Sequence, residues 1–392
     1  MRFTAVDLFC GAGGTSVALK KNYDIKCAIE YDPIIAETYQ NNHDSSHLII
    51  EDIKKIYKKE FLEKVFLQRG ELDLLIATPP CQGFSKHSKK KNFILNDTRN
   101  KLIFHVSRVV TYFHPKFILF ENVGNIINNN YFYILLKKLS NIDQEGYPII
   151  KTQPSYHINF QIVNATDYDV PQKRQRLILI AKKIDSTDLP NTNAFITLSK
   201  KGIPQVSAPL NIWPDKKPAK KLGEFLKPHN LRKLEAGETD PEDELHTVRN
   251  LSELNIRRLE ATPKNGGSRN SWPESIWLDC HKKKNVSYGD VYGRMSFEDY
   301  APTITCGCLS LSKGRFGHPT ENRAISLREA ALIQTFPKKY KFSGSIEKKA
   351  LQIGNAVPVN LAKLFINAIT ANLIETKLQP VVSPPSDPVG VC

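Results

Sequence analysis

The feature that most constrains this chain is a recurring one: a short, unbroken apolar run that ends in a glycine-rich turn, a proline or an acid. Such runs occupy Phe3 to Phe9, Ile25 to Ile29, Leu48 to Ile50, Leu72 to Ala77, Phe117 to Phe120 and Arg176 to Ala181. Amphipathic stretches lie between several of them, as at Leu102 to Tyr112 and Tyr131 to Leu139. A strand buried on both faces reads as a continuous apolar run, and that situation arises in parallel sheets covered by helices on either side. The expected fold is therefore α/β, with a Rossmann-like sheet.

The polar residues follow the runs. In open α/β sheets ligands bind outside the carboxyl ends of the strands. If each run is a strand of one sheet, Asp7 to Gly14, Glu30, Asp52, Pro79 to Cys81 and Glu121 all open onto one rim.

A chain of 392 residues is long enough for two domains, or for one with a large insert. From about Lys183 the alternation fades and Pro and Lys become denser, as in Trp213-Pro214-Asp215-Lys216-Lys217-Pro218. The expected division is a first domain over 1–183, a second over 184–344, and a helical return to the first over 345–375, read from Lys349 to Ile374. The Pro-rich tail, 376–392, lacks an apolar period and is expected to be disordered.

Lys and Arg exceed Asp and Glu by 55 to 40, a net charge of +15. That balance favours a polyanionic partner, whose condensed counterions are released on binding, over mere solubility. No apolar run is long enough to span a bilayer, and the N-terminus lacks a basic-then-apolar signal peptide, so a cytoplasmic location is expected. The seven cysteines are scattered and odd in number, which fits neither a disulfide framework nor a zinc site. No metal is expected, and most cysteines should be small buried hydrophobes.

Asp7-Leu8-Phe9-Cys10-Gly11-Ala12-Gly13-Gly14-Thr15-Ser16 should join a strand to a helix. Its glycines permit a tight turn and close backbone approach to a ligand. It is not a P-loop, because no Gly-Lys-Ser/Thr follows. With Glu30 in the place of a ribose-binding acid it suits a nicotinamide dinucleotide or S-adenosylmethionine, and alone it does not choose between them. A purely structural turn is the third possibility.

Cys81 follows Pro79-Pro80 at the end of an apolar run and precedes Gln82, Gly83 and Ser85. Prolines have a fixed φ and no amide proton, so they hold the following backbone stiffly. A reactive thiol needs a lowered pKa, and Lys86, His87, Lys89, Lys90 and Lys91 make the region electropositive. Placement alone leaves a nucleophile and a buried hydrophobe equally open.

Taken in order, these motifs resemble those of the bacterial DNA (cytosine-5)-methyltransferases of restriction–modification systems. The resemblance is carried by Asp7 to Gly14, Pro79-Pro80-Cys81-Gln82, Asp97-Thr98-Arg99 with Leu102, and Glu121-Asn122-Val123. It continues through Gln172-Lys173-Arg174-Gln175-Arg176, Arg323 to Phe336, and Gly354-Asn355-Ala356-Val357-Pro358. It implies an S-adenosylmethionine-dependent methyltransferase sheet with a smaller target-recognition domain. It further implies covalent addition of Cys81 to C6 of a flipped cytosine, with Glu121, Arg174 and Arg176 as the other catalytic residues. Singly, Glu121 reads as a helix N-terminal acid and the two arginines as surface ion pairs. Asp7, Phe9, Gly11, Gly14, Glu30, Asp52, Pro80, Leu102, Asn355 and Ala356 would hold the cofactor, although Asp52 alone reads as a helix cap and Phe9 or Leu102 as core. Gln82, Ser85, Arg294, Thr303 and Thr305 would approach the DNA. The partners implied are double-stranded DNA and a restriction endonuclease of the same specificity, with the enzyme itself a monomer.

Two departures stand out. Asp169 occupies the position before Val170-Pro171-Gln172 where the family often has Gly; Asp tolerates a left-handed backbone better than most residues, so no loss is expected. After Glu121-Asn122-Val123 the chain reads Gly124-Asn125 rather than the commoner continuation. The related tRNA methyltransferases carry a Cys-Phe-Thr signature in the target region, whereas here the nearest Cys-bearing stretch is Thr305-Cys306-Gly307-Cys308, with no Cys-Phe-Thr. DNA is therefore the expected substrate. A catalytically silent DNA-binding protein would not need Cys81, Glu121, Arg174 and Arg176 together, and a nicotinamide dehydrogenase fits only the glycine loop and Glu30.

Overall fold

A computed structural model describes residues 2–55, 65–80, 101–185, 196–282 and 289–378. Its central sheet has seven strands. In chain order they are β1 (Phe3–Leu8), β2 (Tyr23–Glu30), β3 (Leu48–Ile50), β4 (Leu74–Ala77), β5 (Phe117–Val123), β6 (Tyr156–Asn164) and, past a two-residue strand β7 (Gln172–Lys173) outside the sheet, β8 (Gln175–Lys183). Their spatial order is β3-β2-β1-β4-β5-β8-β6. The first five are mutually parallel, and β8 runs antiparallel to both β5 and β6. The order reverses between β1 and β4, which makes their carboxyl ends a topological switch point.

Helices α1 (Gly14–Leu19), α2 (Pro33–Gln40), α3 (Ile103–Phe113) and α4 (Asn130–Ser140) link the strands. Successive strand residues point to opposite faces, and both faces are dry. Leu75, Ala77, Ile118 and Phe120 meet Val106, Val110, Phe132 and Leu135 of α3 and α4. Leu74, Ile76, Phe117 and Leu119 instead share a core with Leu19 of α1 and with Leu361, Phe365, Ile369 and Leu373 from the far end of the chain. Burial on both sides is what makes β1, β4 and β5 continuous apolar runs.

The remaining chain is less regular. It contains β9 (Ile196–Leu198), β10 (Pro204–Val206), α5 (Leu222–Leu226), β11 (Thr239–Asp240), β12 (Asp243–Thr247), α6 (Glu253–Glu260), β13 (Ala301–Pro302), α7 (Leu327–Ile333), α8 (Ile346–Asn355) and α9 (Val359–Leu378). A third core joins Leu245, Met295, Ile304 and Phe316 to Leu327, Ile333, Ala350 and Ile353.

Several particulars differ from the sequence expectation. Strand β6 is additional, and β8 is antiparallel in an otherwise parallel reading. The return helix is two helices, because Val357-Pro358 interrupts it; proline supplies no amide donor and disfavours helical backbone before it. Packing does not change at residue 184: Ile196 joins the first core, Leu210 and Ile212 join the second, and Leu210 N donates to Ile158 O at 3.0 Å. Finally, α9 continues to Leu378, into the segment expected to be tail, and the rest of that tail lies outside the described residues. The stretch from α8 to α9 is also long and apolar enough to cross a membrane by length and composition, contrary to the expectation above, but it is largely buried: Ala350 and Ile353 lie in the third core, and Leu361, Phe365, Ile369 and Leu373 pack on the sheet.

Candidate active site

A cavity of about 410 Å³ opens at the carboxyl ends of β1 to β5. Its wall collects Phe9, Gly11, Gly14, Glu30, Asp52, Pro80, Leu102, Asn355 and Ala356, the whole expected cofactor set except Asp7, together with Glu121, Arg174 and Arg176. Residues from Phe9 to Ala356 meet here because the switch point gathers strand ends and α8 closes the space from the other side.

The loop after β1 is built on positive φ angles: 61° at Phe9, 54° at Gly11 and 87° at Gly13, the residue that caps α1. Asp7 lies behind this loop and not in the cavity, which corrects its assignment as a cofactor ligand. It is fully buried, and its Oδ2 accepts from the Thr15 and Ser16 hydroxyls, each at 2.7 Å. The carboxylate thus fastens the first turn of α1 to β1. Burial pushes its pKa up to about 6, against the lowering effect of the two hydroxyls.

Glu30, at the end of β2, is buried, and its Oε1 accepts from the Tyr31 and Asp32 amides, both at 2.9 Å. Burial raises its pKa, opposed by those amides and by that of Gly11. Asp52, after β3, accepts from Lys54 N at 3.0 Å through Oδ1, so it is a cap of the following turn and also a cavity residue. Phe9 and Leu102 likewise pack against the first core and line the cavity.

Glu121 sits on β5, not at a helix N-terminus, and its Oε1 is 3.1 Å from Nε of Arg176 on neighbouring β8. The antiparallel register aligns Val123 with Arg176, which brings the two side chains together across the strand pair. Burial raises the Glu121 pKa, while Arg176 and then Arg174 pull it down. Asn122 donates from Nδ2 to Pro79 O at 3.0 Å, tying the end of β5 to the Pro-Pro step that leads to Cys81. Cys81, Gln82, Ser85, the basic cluster 86–91 and the Asp97-Thr98-Arg99 motif lie outside the described residues.

Arg174 is buried, and its guanidinium donates to the carbonyls of Ile304 at 2.8 Å, Gly354 at 3.2 Å and Ala356 at 3.1 Å. It therefore clamps the 304–306 segment and the end of α8 around the cavity. Gly354 permits that approach: a Cβ there would lie 2.3 Å from Thr305 C and from Cys306 N. Thr303 donates to Lys173 O at 2.7 Å, and Thr305 is half-buried beside Gly354. Arg294 is a correction. It is 1% exposed, and its donors are spent on the carbonyls of Leu259, Thr262, His318 and Glu321 and on Asn322 Oδ1, so it is an internal brace and not a DNA contact.

The family model for C-5 cytosine-specific DNA methylases matches residues 3–371. The chain belongs to this family. Among similar proteins, the type II methylase M.HgiDII of Herpetosiphon aurantiacus is 31% identical over 93% of the chain and 94% of its own length. The type II methyltransferase M1.BsuMI of Bacillus subtilis is 31% identical over 92% of the chain and 78% of its length. Two solved structures share the fold. A protein encoded within an Escherichia coli prophage has a TM-score of 0.65, with 22% identity over 95% of this chain and 99% of that one. The Entamoeba histolytica methyltransferase EhMeth has a TM-score of 0.60, with 14% identity over the same shares.

In this cytosine methylase the buried thiols are poor nucleophiles. Cys10 lines the cavity, but burial, with Asp7 and Glu30 nearby, drives its pKa well up. Cys27 and Cys308 are buried and pushed up to about 12 by that burial. Cys280 and Cys306 are exposed, and Cys392 lies outside the described residues. The left-handed backbone expected of Asp169 is present, with φ 59° and its carboxylate held by Lys217 at 2.7 Å. Tyr31 is a cavity residue that the sequence did not single out. It lies between Glu30 and Asp32, 71% exposed and on the cavity wall. An aromatic directly after the ribose-type acid was the available signal.

Proposed function

We propose that this DNA cytosine methylase uses S-adenosylmethionine and Cys81, and that it modifies C5 of a cytosine flipped out of a specific double-stranded sequence. The observation that carries the reading is the hydrogen bond from Asn122 to Pro79. It joins the strand end bearing Glu121 to the residues covalently preceding Cys81, on the wall shared with the glycine loop and Glu30.

The cavity suits the cofactor. Its volume lies in the range of small-molecule sites, and Glu30, held by amides on one oxygen, is a fixed acceptor for adjacent ribose hydroxyls. Asp52 would accept from the adenine amine, with Phe9 against the ring, while Gly11, Gly14, Pro80, Leu102, Asn355 and Ala356 complete the wall. When bound, S-adenosylmethionine supplies an electrophilic methyl group.

The chain's own part begins with the Cys81 thiolate adding to C6, which converts the ring to an enamine and makes C5 electron-rich. Glu121, whose burial favours its protonated form, offsets the charge that develops at N3. Arg176 keeps Glu121 oriented and contributes positive charge. After methylation a solvent water takes the C5 proton, the electrons of that C–H bond restore the C5–C6 double bond, and the S–C6 bond breaks with its electron pair returning to the Cys81 thiolate. Arg174 acts on this centre by charge and by holding the cavity's framework.

Residues 184–344 form the unit we assign to target reading, apart from the stretch that packs on the sheet. Thr303 and Thr305, with Gln82 and Ser85, belong to the DNA side. Extrusion of the cytosine costs a few kcal/mol, on the order of one stacking and pairing interaction. Given the type II relatives, the methylase would protect host DNA beside an endonuclease of the same specificity, as a monomer in the cytoplasm.

The test is incubation with S-adenosylmethionine and mixed-sequence duplexes carrying 5-fluorocytosine. Fluorine cannot leave C5 as a proton does, so a denaturation-resistant adduct is expected with the wild type and not with Cys81→Ser. No adduct with the wild type, or an equal amount with Cys81→Ser, refutes the mechanism; bisulfite sequencing of methylated DNA then gives the target.

A further inference from the structure

The glycine loop is held from behind by two residues that no cofactor would touch. Tyr340, carried by the segment between α7 and α8, donates its hydroxyl proton to Ala12 O. His43, past the end of α2, places Nε2 2.9 Å from the same hydroxyl. A carbonyl only accepts, so the single hydroxyl proton is committed to Ala12, and His43 Nε2 must donate to the tyrosine oxygen. His43 thus carries a proton on Nε2. Burial, which lowers its pKa to about 4, agrees with a neutral ring.

These contacts act on one peptide plane. Gly13 N donates to Cys10 O at 2.9 Å while Ala12 O takes the tyrosine proton, so both ends of the Ala12–Gly13 peptide are pinned. Three positive-φ residues flank or include this peptide, and Phe9, with a side chain, adopts such a backbone only at a cost that its surroundings must offset. Gly13 has no room for anything else: a Cβ would lie 2.4 Å from His43 Nε2 and 2.9 Å from the Tyr340 hydroxyl.

Tyr340 is itself anchored. Asn42 exchanges hydrogen bonds with the Lys341 backbone at 2.7 and 3.0 Å, and Ser343 N donates to Thr38 Oγ1 at 2.8 Å. Arg328 donates to Tyr340 O at 3.3 Å while holding Asp243 of β12 through both carboxylate oxygens. A chain of polar contacts therefore runs from the smaller half to the loop.

From this geometry we infer that Tyr340 and His43 are positioning residues that set the backbone shape of the glycine loop and, through it, the affinity for the cofactor. The inference rests on reading that loop as the S-adenosylmethionine site. Loss of the tyrosine hydroxyl leaves a buried carbonyl unpaired and the peptide free to turn.

The experiment uses the full chain and titrates S-adenosylmethionine and S-adenosylhomocysteine by calorimetry, alongside ligand-free melting. Tyr340→Phe is expected to bind both about tenfold more weakly, about 1.4 kcal/mol. Its KM for S-adenosylmethionine should rise in step and its kcat at saturation should hold, while its ligand-free melting temperature should fall because a buried carbonyl loses its donor. His43→Gln, whose amide still donates, should bind more tightly than His43→Leu. Wild-type affinity in Tyr340→Phe overturns the inference. So does a lowered ligand-free melting temperature with unchanged KM, which marks a structural role only. If the wild type itself binds neither compound, the cofactor reading falls first.

Discussion

Nε of Arg176 lies 3.1 Å from Oε1 of Glu121, across the β5–β8 pair, and each side chain is about one-eighth exposed (14% and 12%). Burial and the arginine pull the Glu121 carboxyl in opposite directions, and burial prevails. Removing the cation takes away a lowering influence, so Arg176→Leu should move the Glu121 pKa further up. If protonated Glu121 assists the addition step, activity falls as pH rises through that pKa, and the limb moves to higher pH in the variant. Single-turnover methylation measured from pH 5 to 9 reads this directly. The rate in Arg176→Leu should also drop by about 10² or more, within the span typical of general acid–base groups. A limb that stays in place or moves to lower pH would show that the pair does not govern Glu121.

Gly354 is the contact point between α8 and the 304–306 segment. A methyl group there meets backbone atoms of Thr305 and Cys306 at 2.3 Å, and backbone cannot swing aside as a long side chain can. Gly354→Ala must push the segments apart and stretch the Arg174 bonds to Ile304 O and Gly354 O. Overpacking of this kind costs about 1–3 kcal/mol. The urea midpoint should fall accordingly, and cofactor affinity should fall with it because Asn355 and Ala356 shift. An unchanged midpoint is incompatible with the close approach.

What the sequence disclosed depended on burial. β1, β4 and β5 are dry on both faces, so they stand out as apolar runs, and Glu30, Asp52, Pro80 and Glu121 could be placed at one rim because each follows such a run. β6 did not stand out: Gln161 and Ile162 are exposed on this edge strand, which breaks the apolar run. Arginines were the least legible. Arg174 and Arg294 are written with the same letter as a solvated arginine, and only the fold shows that their donors close on main-chain carbonyls. Tyr340 was equally silent, since its partners at Ala12 and His43 lie some 300 residues away in the chain.

Asp7 gives a pH prediction with a defined sign. Its pKa rises from 3.8 to about 6 on folding, so the folded state binds its proton more tightly than the unfolded state. That contribution is fully present below pH 3.8 and is lost as pH rises through about 6. The loss is on the order of 3 kcal/mol for a shift of this size. Asp7→Asn has no such titration, and its carbonyl can still accept from Thr15 and Ser16. Relative to the wild type, the variant should therefore gain stability between pH 4 and pH 7 in ligand-free urea denaturation. A constant difference across that range would mean that Asp7 is not titrating there.

Arg294 separates an internal brace from a phosphate contact. Arg294→Lys leaves several of the carbonyls of Leu259, Thr262, His318 and Glu321 without donors and keeps a positive charge among them. Each buried carbonyl left without a donor costs about 1–3 kcal/mol, and the melting temperature should fall clearly. DNA affinity of the folded protein should keep its dependence on salt, because no phosphate contact is removed. Arg294→Gln sharpens the comparison by removing the charge as well. Loss of a real phosphate contact would lower the slope of log affinity against log salt by about one and leave the melting temperature unchanged. Fluorescence anisotropy on a duplex at several salt concentrations, with melting curves of the same samples, distinguishes the two, and the buried position requires the first.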